Sequence, residues 1–421
     1  MRIALLSYRT KEHCGGQGVY VRHLSQGLAE LGHEVEVFSG QPYPEDLDPR
    51  VALTKVPSMD FFREPDPFRT PRPSEFRSAT DVLEYALTLT GCFAEPLTFT
   101  LRASRLLKKR VADFDIVHDN QSLGYGLLAI MRRMPLAATV HHPISRDRRV
   151  DLAAAKTWKR KLSVARWYGF VPMQARVARR IPIVLAVAGT SAADSVNDFD
   201  LDQEQMRVVP LGVDTELFAP SEDRVPGRIV AIASADRPLK GVVHLLEALA
   251  KVRTEHDVHL ELVSNLEPGG PTERRIAELG LTDAVHVVNG ISDEELGALL
   301  ASGEIMCVPS LYEGFSLPTV EAMSCGTPIV ATRAGALPEV VGTDENGDSE
   351  CAVLVEPGDA DALAAAIRGL VDSPETRARL GAAGRRRAVE RYSWTAVAEA
   401  TVAAYTEAID AMTARNRHAD R

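Results

Sequence analysis

Cysteine is scarce in this 421-residue chain: Cys14, Cys92, Cys307, Cys325 and Cys351 are odd in number and scattered. No Cys-x-x-Cys pair or histidine-rich cluster accompanies them, so the pattern suggests no metal site, and a reducing cytoplasm is the expected setting. Long apolar runs are also missing. Met1 to Ser7 is too short to serve as a signal peptide, and no stretch reaches the roughly 20 residues of a bilayer-spanning helix. Any membrane contact is therefore expected to be peripheral. Positive charge is in deficit, with 48 Lys and Arg against 58 Asp and Glu for a formal net charge of -10. That balance argues against nucleic acid as a main partner.

What is present is ordinary for a globular protein: 45% hydrophobic and 25% charged residues, in a chain long enough for two domains of roughly 200 residues each. Arg2 to Ser7 predicts a short buried strand. Gly15-Gly16 follow it, then a helix with Val19, Val21, Leu24, Leu28 and Leu31 on one face, then a strand through Val35, Val37 and Phe38. The strand Ile116-Val117 runs into His118-Asp119-Asn120-Gln121, and the strand 137–140 ends in His141-His142-Pro143. Polar groups thus collect at carboxyl ends of strands, where α/β folds bind ligands. Strands 229–232, 260–263, 285–288, 305–308 and 328–331 repeat the alternation, so both halves read as α/β with parallel sheets. Residues 41–100 are the exception. Pro57, Pro65, Pro67, Pro71 and Pro73 argue against regular structure there, and Phe61, Phe62, Phe68 and Phe76 punctuate it.

One stretch concentrates chemistry. In Pro309-Ser310-Leu311-Tyr312-Glu313-Gly314-Phe315-Ser316-Leu317-Pro318-Thr319-Val320-Glu321 two carboxylates bracket a turn that enters a helix. Pro318 suits a first helical turn, and Gly326 supplies a stop. Both glutamates would sit near the helix's positive end, whose unpaired amides attract anions and hydroxyls. An acid in a first helical turn also stabilises the helix dipole with no further role.

This stretch resembles the Glu-x7-Glu signature of the retaining nucleotide-sugar glycosyltransferases of family four. Pro309-Ser310, Gly314-Phe315, Leu317-Pro318, Glu321-Ala322-Met323, Gly326 and Pro328 match the wider pattern, and so does Gly335-Ala336-Leu337-Pro338-Glu339. The resemblance implies the GT-B fold: two Rossmann-like domains facing across a cleft, with a C-terminal helix crossing back to the first domain. The expected domains are 1–212, binding acceptor, 213–390, binding donor, and 391–421, the returning helix. Val208-Val209-Pro210-Leu211-Gly212-Val213-Asp214 resembles the family hinge, with Leu211 in place of an asparagine.

The same resemblance assigns roles. Lys240, beside Gly241, would grip the donor's phosphates. An arginine usually stands five or six residues earlier, where this chain has Ala235 and Ser234, so Arg237 is the candidate substitute. Cations there would stabilise the departing diphosphate. Glu313 would orient the sugar's hydroxyls beside the amides of Gly314, Phe315, Ser316 and Leu317, and Glu321 would hold the ribose. His141, preferred over His142, would face the transferred sugar, Gly15 and Gly16 would approach the diphosphate, and Asn289 lies in the base-binding region. No Asp-x-Asp motif is placed to hold a metal; Asp198-Phe199-Asp200 has the letters outside the expected cleft. No cofactor or metal is expected.

The function that follows is transfer of a hexosyl group from a nucleotide-diphosphate sugar to a hydroxyl acceptor, with retention. A non-catalytic sensor or another GT-B activity, such as a sugar-nucleotide epimerase, would share many of these residues. Residues 41–100 are expected to form an acceptor-side insertion or a surface loop held by its aromatics. Residues 146–180 are locally basic, with Trp158, Trp167, Tyr168 and Phe170 interleaved, and could rest on an anionic bilayer, bind an anionic acceptor or form a solvated helix face.

Overall fold

A computed structural model describes residues 1–10, 16–63 and 66–419. They build two sheets in which every strand pairing is parallel. The first contains β1 (Arg2–Ser7), β2 (Glu34–Ser39), β3 (Ala52–Lys55), β4 (Ile116–Asn120), β5 (Leu136–Val140), β6 (Ile183–Ala186) and β7 (Met206–Val208), in the order β3-β2-β1-β4-β5-β6-β7. The second contains β8 (Arg228–Ile232), β9 (His259–Val263), β10 (Val285–Val288), β11 (Ile305–Val308), β12 (Ile329–Thr332) and β13 (Ala352–Val355), in the order β10-β9-β8-β11-β12-β13. Each sheet starts at its centre, runs to one edge and then turns back. That topology leaves a crevice between the first and fourth strands at their carboxyl ends.

Central strands are buried along their whole length, as β4, β5, β6, β11 and β12 are, because helices cover both faces. The helix Val242–Val252 shows why these segments are helical. Val242, Leu245, Leu246, Leu249 and Val252 recur at one-turn spacing and all are buried against Ile229, Leu260 and Ile305. In the first sheet the equivalent core gathers Leu6, Phe38, Val117, Leu136 and Val184.

Contacts divide the chain into residues 1–209 with 397–421, and residues 210–396. The expected breaks stood at 212/213 and 390/391. The returning helix is Trp394–Ala419, and from Val397 onward it belongs to the first unit. There Tyr405 is fully buried, with its hydroxyl 2.6 Å from His118 Nδ1, and Glu407 pairs with Arg207.

The segment 41–100 is more regular than its prolines suggest. It contributes β3 and the helix Ala79–Leu89, and it begins the helix Glu95–Leu107. The prolines cluster before Ser78, in the part without long elements, so they bound the irregular stretch and leave the rest free to fold. Its aromatics are pinned: Phe61 stacks on Tyr85 at 5.9 Å, Phe76 meets the same ring edge-on, and Arg9 lies 4.4 Å over Phe62.

Candidate active site

In the second unit the crevice between β8 and β11 is built by two close approaches. After β8 the chain makes a short turn, Pro238–Lys240, and Gly241 follows at φ +63°. A Cβ on Gly241 would stand 2.0 Å from the Pro309 carbonyl oxygen, so only glycine lets this turn reach the end of β11. The Leu311 amide donates to the Leu239 carbonyl at 2.8 Å and locks the approach. On the other side a Cβ on Gly335, at φ +57°, would stand 2.0 Å from the Glu313 carbonyl oxygen, which accepts from the Ala336 amide at 2.9 Å.

Held between them, Glu313 Oε1 accepts from Lys240 Nζ at 2.7 Å and from Ser310 Oγ at 2.8 Å. The Glu313 side chain is only 12% exposed, against 34% for Lys240, so the ammonium is the more accessible partner. Lys240 also lines a cavity of about 410 Å³ with Ser234, Asn265, Asn289, Gly290 and Pro318. These residues follow the carboxyl ends of β8, β9 and β10 and open the helix Leu317–Ser324.

That helix begins under strain. Ser316, its N-cap, has φ +82° and ψ +77°, an uncommon backbone for a residue with a side chain, and its Oγ meets Thr319 Oγ1 at 2.7 Å. Among the described residues, the amides of Phe315, Ser316 and Leu317 find no backbone acceptor. The Phe315 ring is buried edge-on to Tyr392 at 5.9 Å, so only its backbone is available to a ligand. One turn on, burial of the Glu321 carboxyl, with Asp293 nearby, pushes its pKa up to about 7. Arg237 is exposed and pairs with no carboxylate among the described residues. The carboxylate between Arg237 and Ala235 is structural: Asp236 accepts from the amides of Glu267 at 2.8 Å and Thr272 at 3.1 Å.

In the first unit His141 stands where β5 ends. Its amide donates to Gln121 Oε1 at 2.8 Å, and Gln121 Nε2 returns a bond to the His142 carbonyl at 2.7 Å. Gln121 itself has φ +53°, and no motif in the sequence marked it as the clamp on this turn. Asn120 Nδ2 points to the Gln17 carbonyl and Ser7 Oγ, both at 3.4 Å, which leaves Asn120 Oδ1 to meet His141 Nε2 at 2.8 Å. His141 must therefore carry its proton on Nε2 and keep an acceptor lone pair on Nδ1. Burial, with His142 adjacent, pushes its pKa down to about 3, so the ring is neutral at pH 7. The Tyr20 ring lies edge-on at 4.8 Å, another neighbour that sequence reasoning missed.

His142 is exposed, 3.1 Å from Asp147. His118 is internal, bonded to Tyr405 and to Thr139, and offers nothing to a ligand. Gly15 lies outside the described residues, and Gly16 opens the helix Gly16–Glu30. Asp198 and Asp200 are spoken for by Arg149 at 2.7 Å and Arg179 at 2.9 Å, with Phe199 buried between them. Among the described residues, no group of three His, Cys, Asp or Glu side chains is placed to hold a metal ion.

Two doubly wound parallel sheets, one with a lysine–glutamate pair at its switch point, define a GT-B glycosyltransferase. The chain belongs to the family-four, group 1 glycosyltransferases: residues 214–387 match the family described as "Glycosyl transferases group 1", and residues 14–217 match "Glycosyltransferase Family 4". It is 65% identical over 410 residues to a protein of Mycolicibacterium hassiacum named MMP alpha-(1->4)-mannosyltransferase, covering 97% of this chain and 98% of that one. It is 30% identical over 449 residues to a D-inositol 3-phosphate glycosyltransferase of Xylanimonas cellulosilytica, covering 98% of each. Among solved structures it resembles sucrose-phosphate synthase of Thermosynechococcus elongatus, with a TM-score of 0.67, 23% identity and coverage of 98% of this chain and 100% of that one. Anabaena HepE in complex with UDP gives a TM-score of 0.67 at 18% identity, covering 97% of this chain and all of that one.

Proposed function

We propose that this glycosyltransferase moves a mannosyl group from a nucleotide-diphosphate mannose to a hydroxyl of an α-(1→4)-linked mannoside, with retention and without a metal ion. The sugar and linkage follow the 65% identical relative. The chemistry rests on the Lys240–Glu313 pair beside the 410 Å³ cavity.

In this reading the nucleoside lies along the ends of β9 and β10 near Asn289, and the Glu321 carboxylate accepts from the ribose hydroxyls. Lys240 has three N–H donors and spends one on Glu313, so two remain for diphosphate oxygens. The amides of Phe315, Ser316 and Leu317 add fixed dipoles at the helix start. Glu313 keeps acceptor capacity for sugar hydroxyls, and His141 Nδ1 accepts from the transferred sugar. Gly16, with Gly15, lets backbone approach the diphosphate, and Arg237 adds exposed positive charge. The bond between the anomeric carbon and the phosphate oxygen breaks as the acceptor oxygen bonds the same face. The departing phosphate oxygen takes the acceptor's proton, so no side-chain base is consumed.

The test is product analysis by NMR after offering UDP-, GDP- and ADP-linked mannose with a short α-(1→4)-mannoside. An α-linked product from one donor, unchanged by EDTA, is expected. A β-linked product, or turnover abolished by the chelator and restored by a divalent cation, would overturn the mechanism.

The proposal extends to place: a cytoplasmic enzyme resting peripherally on an anionic membrane. Part of the basic segment 146–180 is already neutralised, since Arg146, Arg149 and Arg179 pair with Asp194, Asp198 and Asp200. Among the described residues still without a carboxylate partner, the helix Trp158–Trp167 gathers Lys159, Arg160, Lys161 and Arg166 with no acidic residue, and its Trp158 is 71% exposed. Among the described residues no helix is long and apolar enough to cross a membrane. Flotation with phosphatidylglycerol liposomes at low salt should carry the protein upward, and Trp158→Ala should reduce the floated fraction. A protein left wholly in the bottom fraction would refute the contact.

A further inference from the structure

The irregular part of residues 41–100 takes no part in the proposed transfer, yet it builds a second cavity. That cavity measures about 860 Å³ and lies wholly within the first unit, between the chain after β3 and the helices Ala79–Leu89 and Glu95–Leu107. It shares no lining residue with the cavity beside Lys240.

Its floor is neutral in sum, with Arg69, Arg102 and Arg105 set against Glu75, Asp81 and Glu84. Arg102 is buried between Asp81 and Glu84, at 2.5 Å from each, and Arg69 pairs with Glu75 at 2.7 Å. Both carboxylates that line the cavity, Glu75 and Asp81, are therefore already matched. Arg77, Lys108 and Lys109 line it as well and pair with no carboxylate among the described residues. Lys108 and Lys109 sit just past the end of the helix Glu95–Leu107, where a cation is favourable for the dipole alone. Arg77 has no such reason: a different element, the loop before Ala79–Leu89, brings it to the same space. In a protein of net charge -10, this is a local reversal of sign.

The remaining walls are mostly apolar, with Gln41, Ser58 and Ser78 interspersed. Val56 and Met59 are buried core residues that line the space, and Leu106, on the helix, is 38% exposed beside them. The space is also preformed. Phe61 stacks on Tyr85, and the Met59 amide donates to Glu84 at 3.2 Å, so loop and helix are fixed to each other around the buried ion group. Cavities of roughly 300–1,000 Å³ with apolar walls and a few converging polar groups are the usual form of small-ligand sites. Burial of an apolar body and charge neutralisation at one end would both favour binding.

We propose that this cavity binds an amphipathic anion, its carboxylate or phosphate head held by Arg77, Lys108 and Lys109 and its apolar body lying along Val56, Met59 and Leu106. The site is separate from the transferase chemistry and needs no donor sugar.

Calorimetry of the full-length protein tests it with four probes: decanoate, decyl phosphate, inorganic phosphate and uncharged decyl maltoside. Saturable one-to-one binding of decanoate, decyl phosphate or both is expected, and which of them binds identifies the head group. Inorganic phosphate and decyl maltoside should each bind at least about tenfold more weakly than the amphipathic anion. The triple variant Arg77→Ala, Lys108→Ala, Lys109→Ala removes exposed charges only and should keep the wild-type melting temperature while losing about tenfold or more in affinity. Leu106→Trp, which keeps the charges and fills the wall, should weaken binding as well. Equal binding of decyl maltoside, unchanged affinity in both variants, or no binding of either anion would overturn the proposal. Because no turnover is measured, a failure of the proposed transferase reaction would leave this result interpretable.

Discussion

Lys240 is the residue on which the proposed chemistry turns, and its role can be separated from that of Glu321. A cation that stabilises developing phosphate charge acts in the transition state, whereas a carboxylate on ribose holds substrate and transition state alike. Lys240→Ala should therefore lower kcat by about 100- to 1,000-fold, the usual cost of one such donor, with little change in nucleotide affinity. Steady-state kinetics beside nucleotide titration checks this, and a variant with wild-type turnover would remove Lys240 from the mechanism. Glu321→Ala should instead weaken the nucleotide.

Glu321 also carries a pH signature. Its pKa stands near 7, raised first by burial and then by Asp293. From about pH 4.3 to about 7 the unfolded chain has released this proton and the folded protein has kept it. Stability from this group is thus full below about pH 4.3 and declines as pH rises to about 7. Ribose binding needs the carboxylate and runs the other way. Nucleoside diphosphate affinity should rise between pH 6 and pH 8 in the wild type, and the rise should vanish in Glu321→Gln. Identical pH profiles for the two proteins would exclude the ribose role.

At the scale of elements, the lysine–glutamate pair exists because two glycines bring three loops together. Gly335→Ala would place a methyl 2.0 Å from the Glu313 carbonyl and force a side chain into φ +57°. The turn has to move, so a loss of about 2 kcal/mol or more is expected, with activity falling further because Glu313 moves with it. Urea unfolding and kinetics on the same preparation would show both effects, and a variant with wild-type stability and turnover would refute the constraint. Local signals of this kind were legible in advance. Strands such as 305–308 are short apolar runs bounded by breakers, and the Glu313 turn carries its own punctuation. Three features were hidden because they depend on partners distant in the chain. The regular elements within 52–107 are held by packing such as Phe61 on Tyr85, Gln121 clamps a turn 20 residues away, and His118 looked like a ligand-facing group until Tyr405 closed over it. A fourth, the pairing of Asp198 with Arg149 and of Asp200 with Arg179, was invisible for the same reason.

Over the whole molecule, the returning helix is from Val397 onward a structural part of the first unit. His118 lies in the middle of that unit's sheet, fully buried, and both its nitrogens are satisfied by hydroxyls, Thr139 on one side and Tyr405 on the other. The Tyr405 bond spans 287 residues of sequence. Tyr405→Phe keeps the ring and its packing but leaves His118 Nδ1 buried without a partner, which costs about 1–3 kcal/mol. In a unit of this size each kcal/mol is worth about 2–4 °C of melting temperature, so calorimetry should register a fall of several degrees. Arg207→Ala, which breaks the helix's solvent-exposed pair with Glu407, should change stability by about 1 kcal/mol or less. The contrast is the diagnostic. If Tyr405→Phe melted with the wild type while Arg207→Ala fell sharply, the returning helix would be held by its surface charges and not by the buried tyrosine–histidine bond.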